Sequence, residues 1–122
     1  MLSTCVRMTI EWFVPLGQTR PITMALQSLA ADTRTTRGCI GCSVSTDITS
    51  PSPRRTPGTR GTVRYIEEWQ TEDDLRRRLR SETFAKLATL IEDAVPPPRI
   101  EFALHRETRG LDFVEEVQKS GP

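Results

Sequence analysis

A ten-residue stretch near the start of the chain, CVRMTIEWFV at residues 5–14, alternates between two kinds of side chain. One row of the stretch is entirely apolar and consists of Val6, Met8, Ile10, Trp12 and Val14. The opposite row carries Arg7, Thr9 and Glu11. Because successive side chains of a β-strand point to opposite faces, this pattern predicts a strand with one buried face. Such a strand needs another layer packed against its apolar row.

The following segments switch between helical and strand patterns. A helix is predicted from Pro21, which suits a first helical turn, to about Thr35. Residues 39–47 are short and β-compatible, and residues 62–69 alternate clearly, so both predict strands. Between them, residues 50–61 are rich in Pro, Gly, Ser and Arg and predict a flexible hairpin loop.

Two signals for a helix start follow the third strand. Thr71 with Asp74 imitates a capping box, and Ser81 is a second plausible cap. One bent helix and two abutting helices are both compatible with this pattern. Residues 99–106, RIEFALHR, predict a fourth strand, and residues 108–122 predict a C-terminal helix with a tail.

The predicted order is strand, helix, strand, strand, helix, strand. This order is typical of an α+β ferredoxin-like fold, a four-stranded antiparallel sheet with its helices on one face. At 122 residues the chain can build one core, so we expect a single domain over residues 1–122. Phe13, Ile66 and Ala103 share the open face with charged residues, which favours a homodimer in which a second copy covers that face.

The charge and cysteine content exclude several classes of protein. The 17 Lys and Arg balance 16 Asp and Glu, so no strong field attracts nucleic acid or an anionic membrane. No apolar run approaches the ~20 residues of a membrane-spanning helix. Three cysteines do not suggest the disulfide framework of a secreted protein. We therefore expect a soluble cytoplasmic protein that binds neither nucleic acid nor membrane.

The motif GCIGC places Cys39 and Cys42 three positions apart. A zinc site needs four ligands and would have to recruit Cys5 and His105, so no metal site is expected. A redox CxxC normally begins a helix, whereas this motif leads into a strand. On a regular strand, residues three apart point to opposite faces and cannot easily form a disulfide. We interpret the motif as a fold marker, with Gly38 in a turn and the two thiols on opposite faces.

The segment GCIGCSVSTD, followed after the loop by VRYIEEWQTEDDLRRRLRSETFAKLATLIED, resembles the antibiotic biosynthesis monooxygenase family. The similarity covers residues 38–104 and includes the Gly-Cys entry into the second strand, the Glu67-x-Trp69 motif and the helix pattern from Leu75 to Phe84. The resemblance implies that the protein is a dimeric α/β barrel. The family includes quinol monooxygenases. Each subunit of such a dimer keeps a small hydrophobic pocket between its sheet and helices. Some members oxygenate polycyclic phenols or quinols without metal or flavin, so the resemblance implies a small aromatic ligand and no cofactor.

Two departures from the family pattern bear on function. Arg78 stands where many members carry a helical His, and Ala88 lies near the position of the iron-binding His of related haem-degrading enzymes. The second departure disfavours haem degradation. The first leaves an alternative open, namely a non-catalytic ligand-binding or stress-related module with the same fold.

Trp69, Tyr65 and Phe84 are the expected substrate contacts. Trp69 ends the third strand and could offer a flat apolar wall with one N–H donor, although a purely structural core tryptophan is the alternative. Tyr65 lies two residues earlier on the same face and could donate a phenolic hydrogen bond. Phe84 belongs to the apolar stripe of the helix predicted after Ser81.

Glu67 and His105 are the candidate catalytic residues. Glu67 lies on a row that should be buried, so it would act as a base if unpaired, or as a structural ion pair if an arginine reaches it. The many nearby arginines favour the ion pair. His105 is the only histidine and suits proton abstraction near neutral pH, but its parity places it opposite the apolar row of the fourth strand.

Overall fold

The computed structural model describes residues 5–47, 61–104 and 108–120. Its elements are β1 (Val6–Val14), a 3-10 turn (Leu16–Gln18), α1 (Thr19–Arg34), β2 (Cys39–Asp47), β3 (Gly61–Trp69), α2 (Glu72–Arg80), α3 (Glu82–Glu92), β4 (Arg99–Ala103), β5 (Thr108–Arg109) and α4 (Leu111–Ser120). The predicted loop falls outside the described residues except for Gly61, which opens β3. His105 also lies outside them.

The strands form one antiparallel sheet in the order β2-β3-β1-β4-β5. The order of the first four strands, with the helices packed on one face, confirms the ferredoxin-like α+β fold. The edge strand β5 was not predicted, and its Arg109 pairs with Phe102 of β4. None of the helices in the described ranges is long and apolar enough to cross a membrane.

The strand register places the apolar row of β1 against the helices. Met8 pairs with Glu67 and Ile10 pairs with Tyr65, so the even positions of β1 share a face with the odd positions of β3. Trp12, Trp69 and Tyr65 are among the largest fully buried side chains. Each large apolar side chain buried in this layer contributes about 1.5–3 kcal/mol relative to exposure. The core therefore lies between one sheet face and the helices.

Side-chain caps begin both α2 and α3, and the second cap separates the two helices. Thr71 Oγ1 accepts a hydrogen bond from the Asp74 backbone N–H (3.1 Å), which confirms the first cap. Ser81 has an extended backbone, with ψ 155°, and both ends α2 and begins α3. Its hydroxyl accepts from the Phe84 N–H (3.4 Å) and donates to the Arg78 carbonyl (2.7 Å). The segment thus forms two abutting helices, because one residue interrupts the helical hydrogen-bond ladder.

Gly38 joins α1 to β2 in a conformation that only glycine adopts readily. Its φ is +89°, and a Cβ on it would lie 2.3 Å from Asp74 Cγ. The Gly38 carbonyl also accepts a hydrogen bond from the Gln70 N–H (2.8 Å). The turn into β2 can therefore approach Asp74 in the first turn of α2 this closely because residue 38 has no side chain.

The prediction that Cys39 and Cys42 lie on opposite faces is wrong. Cys39 pairs with Trp69 and Cys42 pairs with Glu67, and a β-bulge falls between Cys39 and Gly41. Trp69 and Glu67 both face the helices, so the extra residue of the bulge brings both thiols to the core face. Cys39 is half-buried against the core and Cys42 is buried, and both are free thiols.

Candidate functional site

A buried carboxylate, that of Glu67, lies at the centre of the candidate site. Its side chain is 0% exposed. Arg78 Nη2 donates to Glu67 Oε2 at 2.9 Å, and Arg78 Nε lies 3.3 and 3.2 Å from the two carboxylate oxygens. Tyr65 Oη donates to Oε2 (2.5 Å), and Trp69 Nε1 donates to Oε1 (3.0 Å). Glu67 therefore forms an ion pair with an arginine of α2, and that arginine is Arg78.

Arg78 is buried because of the phase of α2. The buried positions of this helix are Leu75, Arg78 and Leu79, which share one face at i, i+3 and i+4 spacing. The guanidinium also donates to Thr83 Oγ1 (2.8 Å) and to Thr33 Oγ1 (3.2 Å). A buried ion pair is tolerated when further hydrogen bonds satisfy its remaining polar atoms, as they do here. Removing one of the two charges would be strongly destabilising, because it would leave the other charge buried without its partner.

We call the set Glu67, Arg78, Tyr65, Trp69, Thr33 and Thr83 the Glu67 network. It connects β3 with α1, α2 and the start of α3. No buried side-chain nitrogen or oxygen in the described ranges lacks a hydrogen-bond partner. Donors from Tyr65, Trp69 and Arg78 occupy both oxygens of the Glu67 carboxylate.

Burial and the Glu67 charge keep the neighbouring acids protonated. Burial, followed by the Glu67 charge, raises the pKa of the Tyr65 hydroxyl. Burial raises the pKa of the Cys42 thiol to about 11. Burial, followed by the Glu67 charge, also raises the pKa of the Cys39 thiol. Burial lowers the pKa of Arg78, but the charge of Glu67, the hydrogen bonds to it and the interaction with Tyr65 together outweigh this effect, and the net shift is upward. Neither thiol is therefore a ready thiolate nucleophile at neutral pH.

The three predicted substrate contacts fall in two different surroundings. Trp69 and Tyr65 are 0% exposed and belong to the core beside Glu67. Phe84 has the Arg78 Cζ atom 5.7 Å from its ring centroid, and it also lines two cavities next to the helices. Phe84 is therefore the wall between the Glu67 network and these cavities.

The two cavities have volumes of about 660 and 330 Å³ and share four lining residues, so we treat them as one helical groove between α3 and α4. The shared residues are Phe84, Ala88, Glu92 and Gln118. The groove is apolar along Ala88 and Val114, and it carries carboxylates at Glu92 and Glu115. Its polar residues were not predicted, because an exposed helix position gives no sequence signal that distinguishes a groove from solvent.

A further cavity of about 590 Å³ lies beside the C-terminal end of β1. The end of β1, the start of α1 and the end of α3 line it, and we call it the β1-end cavity. Trp12 Nε1 donates to the Leu90 carbonyl (3.1 Å) and thereby fixes the end of α3 to β1. Within the described ranges there is no cluster of three or more His, Cys, Asp or Glu side chains that could hold a metal ion.

The chain belongs to the antibiotic biosynthesis monooxygenase family, since the family's sequence model matches residues 5–90. The match begins just before β1 and ends within α3, so it includes the whole Glu67 network. No curated protein sequence matches the chain.

Several solved structures share the fold. A conserved protein from Methanosarcina mazei Go1 is 19% identical, with a TM-score of 0.63 over 84% of this chain and 93% of its own. A candidate antibiotic biosynthesis monooxygenase from Caulobacter crescentus is 16% identical, with a TM-score of 0.58 over 86% and 92% of the two chains. A candidate monooxygenase from Fusobacterium nucleatum is 12% identical, with a TM-score of 0.64 over 84% of this chain and 44% of its own. At these identities the similarity establishes the fold.

Proposed function

We propose that this protein is a cofactor-independent monooxygenase that acts on a quinol or a phenol-like aromatic. The observation that carries the proposal is the family match over residues 5–90. In such a reaction the electron-rich substrate itself reduces oxygen. A ring CH₂ activated by a neighbouring carbonyl, as in anthrones, is converted to C=O while the second oxygen atom leaves as water. The substrate supplies the two protons and the electrons for that water.

The substrate is proposed to bind in the helical groove. Its two cavities, of about 660 and 330 Å³, have the size of typical small-molecule sites. An aromatic ring would pack against Phe84, with Tyr65 and Trp69 behind this wall on β3. The protein would contribute orientation and exclusion of water from the deprotonated substrate.

Glu67 and His105 are the proposed proton acceptors. For Glu67, a Tyr65 or Arg78 hydrogen bond would have to open when substrate binds, because five donor contacts occupy the two carboxylate oxygens. Hydrogen bonds of catalytic groups often change their geometry when substrate binds. His105, the second proposed proton acceptor, lies outside the described residues.

A homodimer in the cytoplasm is the proposed state of the protein. Phe13, Ile66 and Ala103 lie on the sheet face opposite the helices. Charged residues on that face pair across strands, with Arg64 2.9 Å from Glu11 and Arg7 3.5 Å from Glu68. These pairs reduce the cost of covering the face with a second copy, since opposite charges are already matched within each sheet.

A non-catalytic ligand-binding module is the second candidate function. The observation that favours it is the saturated Glu67 carboxylate, together with Tyr65 and Trp69 side chains that are fully buried. In this case the Glu67 network is structural, and the helical groove binds an aromatic ligand without chemistry.

Oxygen consumption with a panel of anthrones and hydroquinones would distinguish the two functions. For the enzyme, we expect turnover above the uncatalysed rate and transfer of one atom of isotopically labelled oxygen into the product. Glu67→Gln and Phe84→Ala should reduce this turnover at least about tenfold, whereas the exposed Glu82→Gln should retain it. Ligand binding seen by NMR without turnover, over the whole panel, would support the binding module instead.

A further inference from the structure

The β1-end cavity combines apolar walls with one charged side chain. Eleven of its thirteen lining residues are apolar, and they are Trp12, Phe13, Val14, Pro15, Pro21, Ile22, Ala25, Leu90, Ala94, Val95 and Pro96. Gln18 and Asp93 are the two polar residues. Among the described residues that line it, none is basic. The cavity therefore offers a large apolar surface with a single negative charge at its edge.

The negative charge lies where the protein itself does not compensate it. Asp93 is the C-cap of α3, and Glu92 is the last residue of the helix. The last turn of α3 has no basic residue, so two carboxylates add to the negative end of the helix dipole. No ion pair joins Asp93 to another residue in the described part of the chain. Acidic residues at this end of a helix oppose its stability by about 0.3–1 kcal/mol each.

The cavity is separate from the helical groove. The two share no lining residue, because Leu90, Asp93 and Ala94 face one side of α3 while Ala88, Ile91 and Glu92 face the other. The Trp12 indole N–H is already bonded to the Leu90 carbonyl. Trp12 therefore holds the end of α3 against β1, and its N–H is not available to donate to a ligand.

We propose that the β1-end cavity binds a small organic cation with an apolar body, such as an aromatic amine or a quaternary ammonium compound. The positive nitrogen lies beside Asp93 and the carbonyl end of α3. The apolar body packs between Ile22 and the apolar residues at the end of β1. The site does not depend on the monooxygenase activity, since it uses none of the residues proposed for that reaction.

Isosteric probes test the charge requirement directly. Phenyltrimethylammonium and tert-butylbenzene have the same shape but differ by one positive charge, and benzenesulfonate supplies the opposite charge. We expect phenyltrimethylammonium to bind the full chain with the highest affinity in NMR titrations. Its chemical-shift changes should be centred on Ile22, Ala25 and Ala94. Equal affinity of the charged and the neutral probe would overturn the proposal, as would shift changes centred on α4.

A matched pair of variants tests the role of Asp93. Asp93→Asn should weaken binding of phenyltrimethylammonium about three- to tenfold and reduce its dependence on salt. Glu92→Gln makes the same charge change one residue earlier, but its side chain lines the helical groove, so its affinity should stay within about twofold of the unmodified chain. An equal loss of affinity in both variants would show general attraction to the helix end and would refute the site. Circular dichroism checks that each variant is folded.

Discussion

Replacing Arg78 with Met should expose how strongly the fold depends on one buried ion pair. The substitution keeps the length and the apolar stem of the side chain but removes the charge. It leaves the Glu67 carboxylate fully buried with only the Tyr65 and Trp69 donors. Removing one partner of a buried ion pair typically costs about 3–5 kcal/mol. For a chain of 122 residues, this loss corresponds to a decrease in Tm of about 12–20 °C.

Chemical denaturation of four variants measures this effect. Arg77→Met is the control, because Arg77 is on the same helix, is 57% exposed and pairs only at the surface with Asp74 (3.1 Å). Its cost should be no more than about 1 kcal/mol. The double variant Arg78→Met/Glu67→Gln should be at least about 2 kcal/mol more stable than the sum of the two single losses predicts, since neither charge then remains unpaired. Additive losses, or an Arg78→Met cost near that of Arg77→Met, would refute the reasoning.

Three further predictions concern pH, helix capping and assembly. Burial raises the pKa of the Cys42 thiol from 9.0 to about 11, so the stability that the protonated thiol contributes is present below pH 9 and is lost as the pH rises through 11. Cys42→Ala should flatten this part of a stability–pH profile. Thr71→Ala removes the α2 cap and should cost about 1 kcal/mol in urea denaturation. Ile66→Glu should convert the proposed dimer to a monomer in light scattering, whereas Met24→Glu, on the exposed side of α1, should not; a dimer that survives Ile66→Glu would place the interface elsewhere.

The sequence was sufficient for the fold because its strands and caps carry strong local signals. The alternation in β1 and β3 and the Thr71 cap each depend on neighbouring residues only, and the structure agrees with them. The position of Cys39 was predicted wrongly because a single inserted residue shifts every side chain before it to the other face. Edge strand β5 has two residues, Thr108 and Arg109, which is too short for any periodic pattern.

The candidate site was predictable in its composition but not in its geometry. The Glu67 ion pair followed from burial of a carboxylate near several arginines. Its partner could have been identified from the spacing of Leu75, Arg78 and Leu79, which marks Arg78 as the only arginine of α2 on the apolar face. The β1-end cavity could not be predicted, because Trp12 and Asp93 are 81 positions apart and only the tertiary packing brings them to one space.

The close approach of Gly38 to Asp74 has a consequence for recombination between relatives. A crossover that introduces any other residue at position 38 would carry a Cβ into the Asp74 carboxylate, and it would do so even if both parents are stable on their own. The turn before β2 and the first turn of α2 therefore form a unit of inheritance, although 35 residues of sequence lie between their two contact points. Chimeras should exchange both segments together or neither.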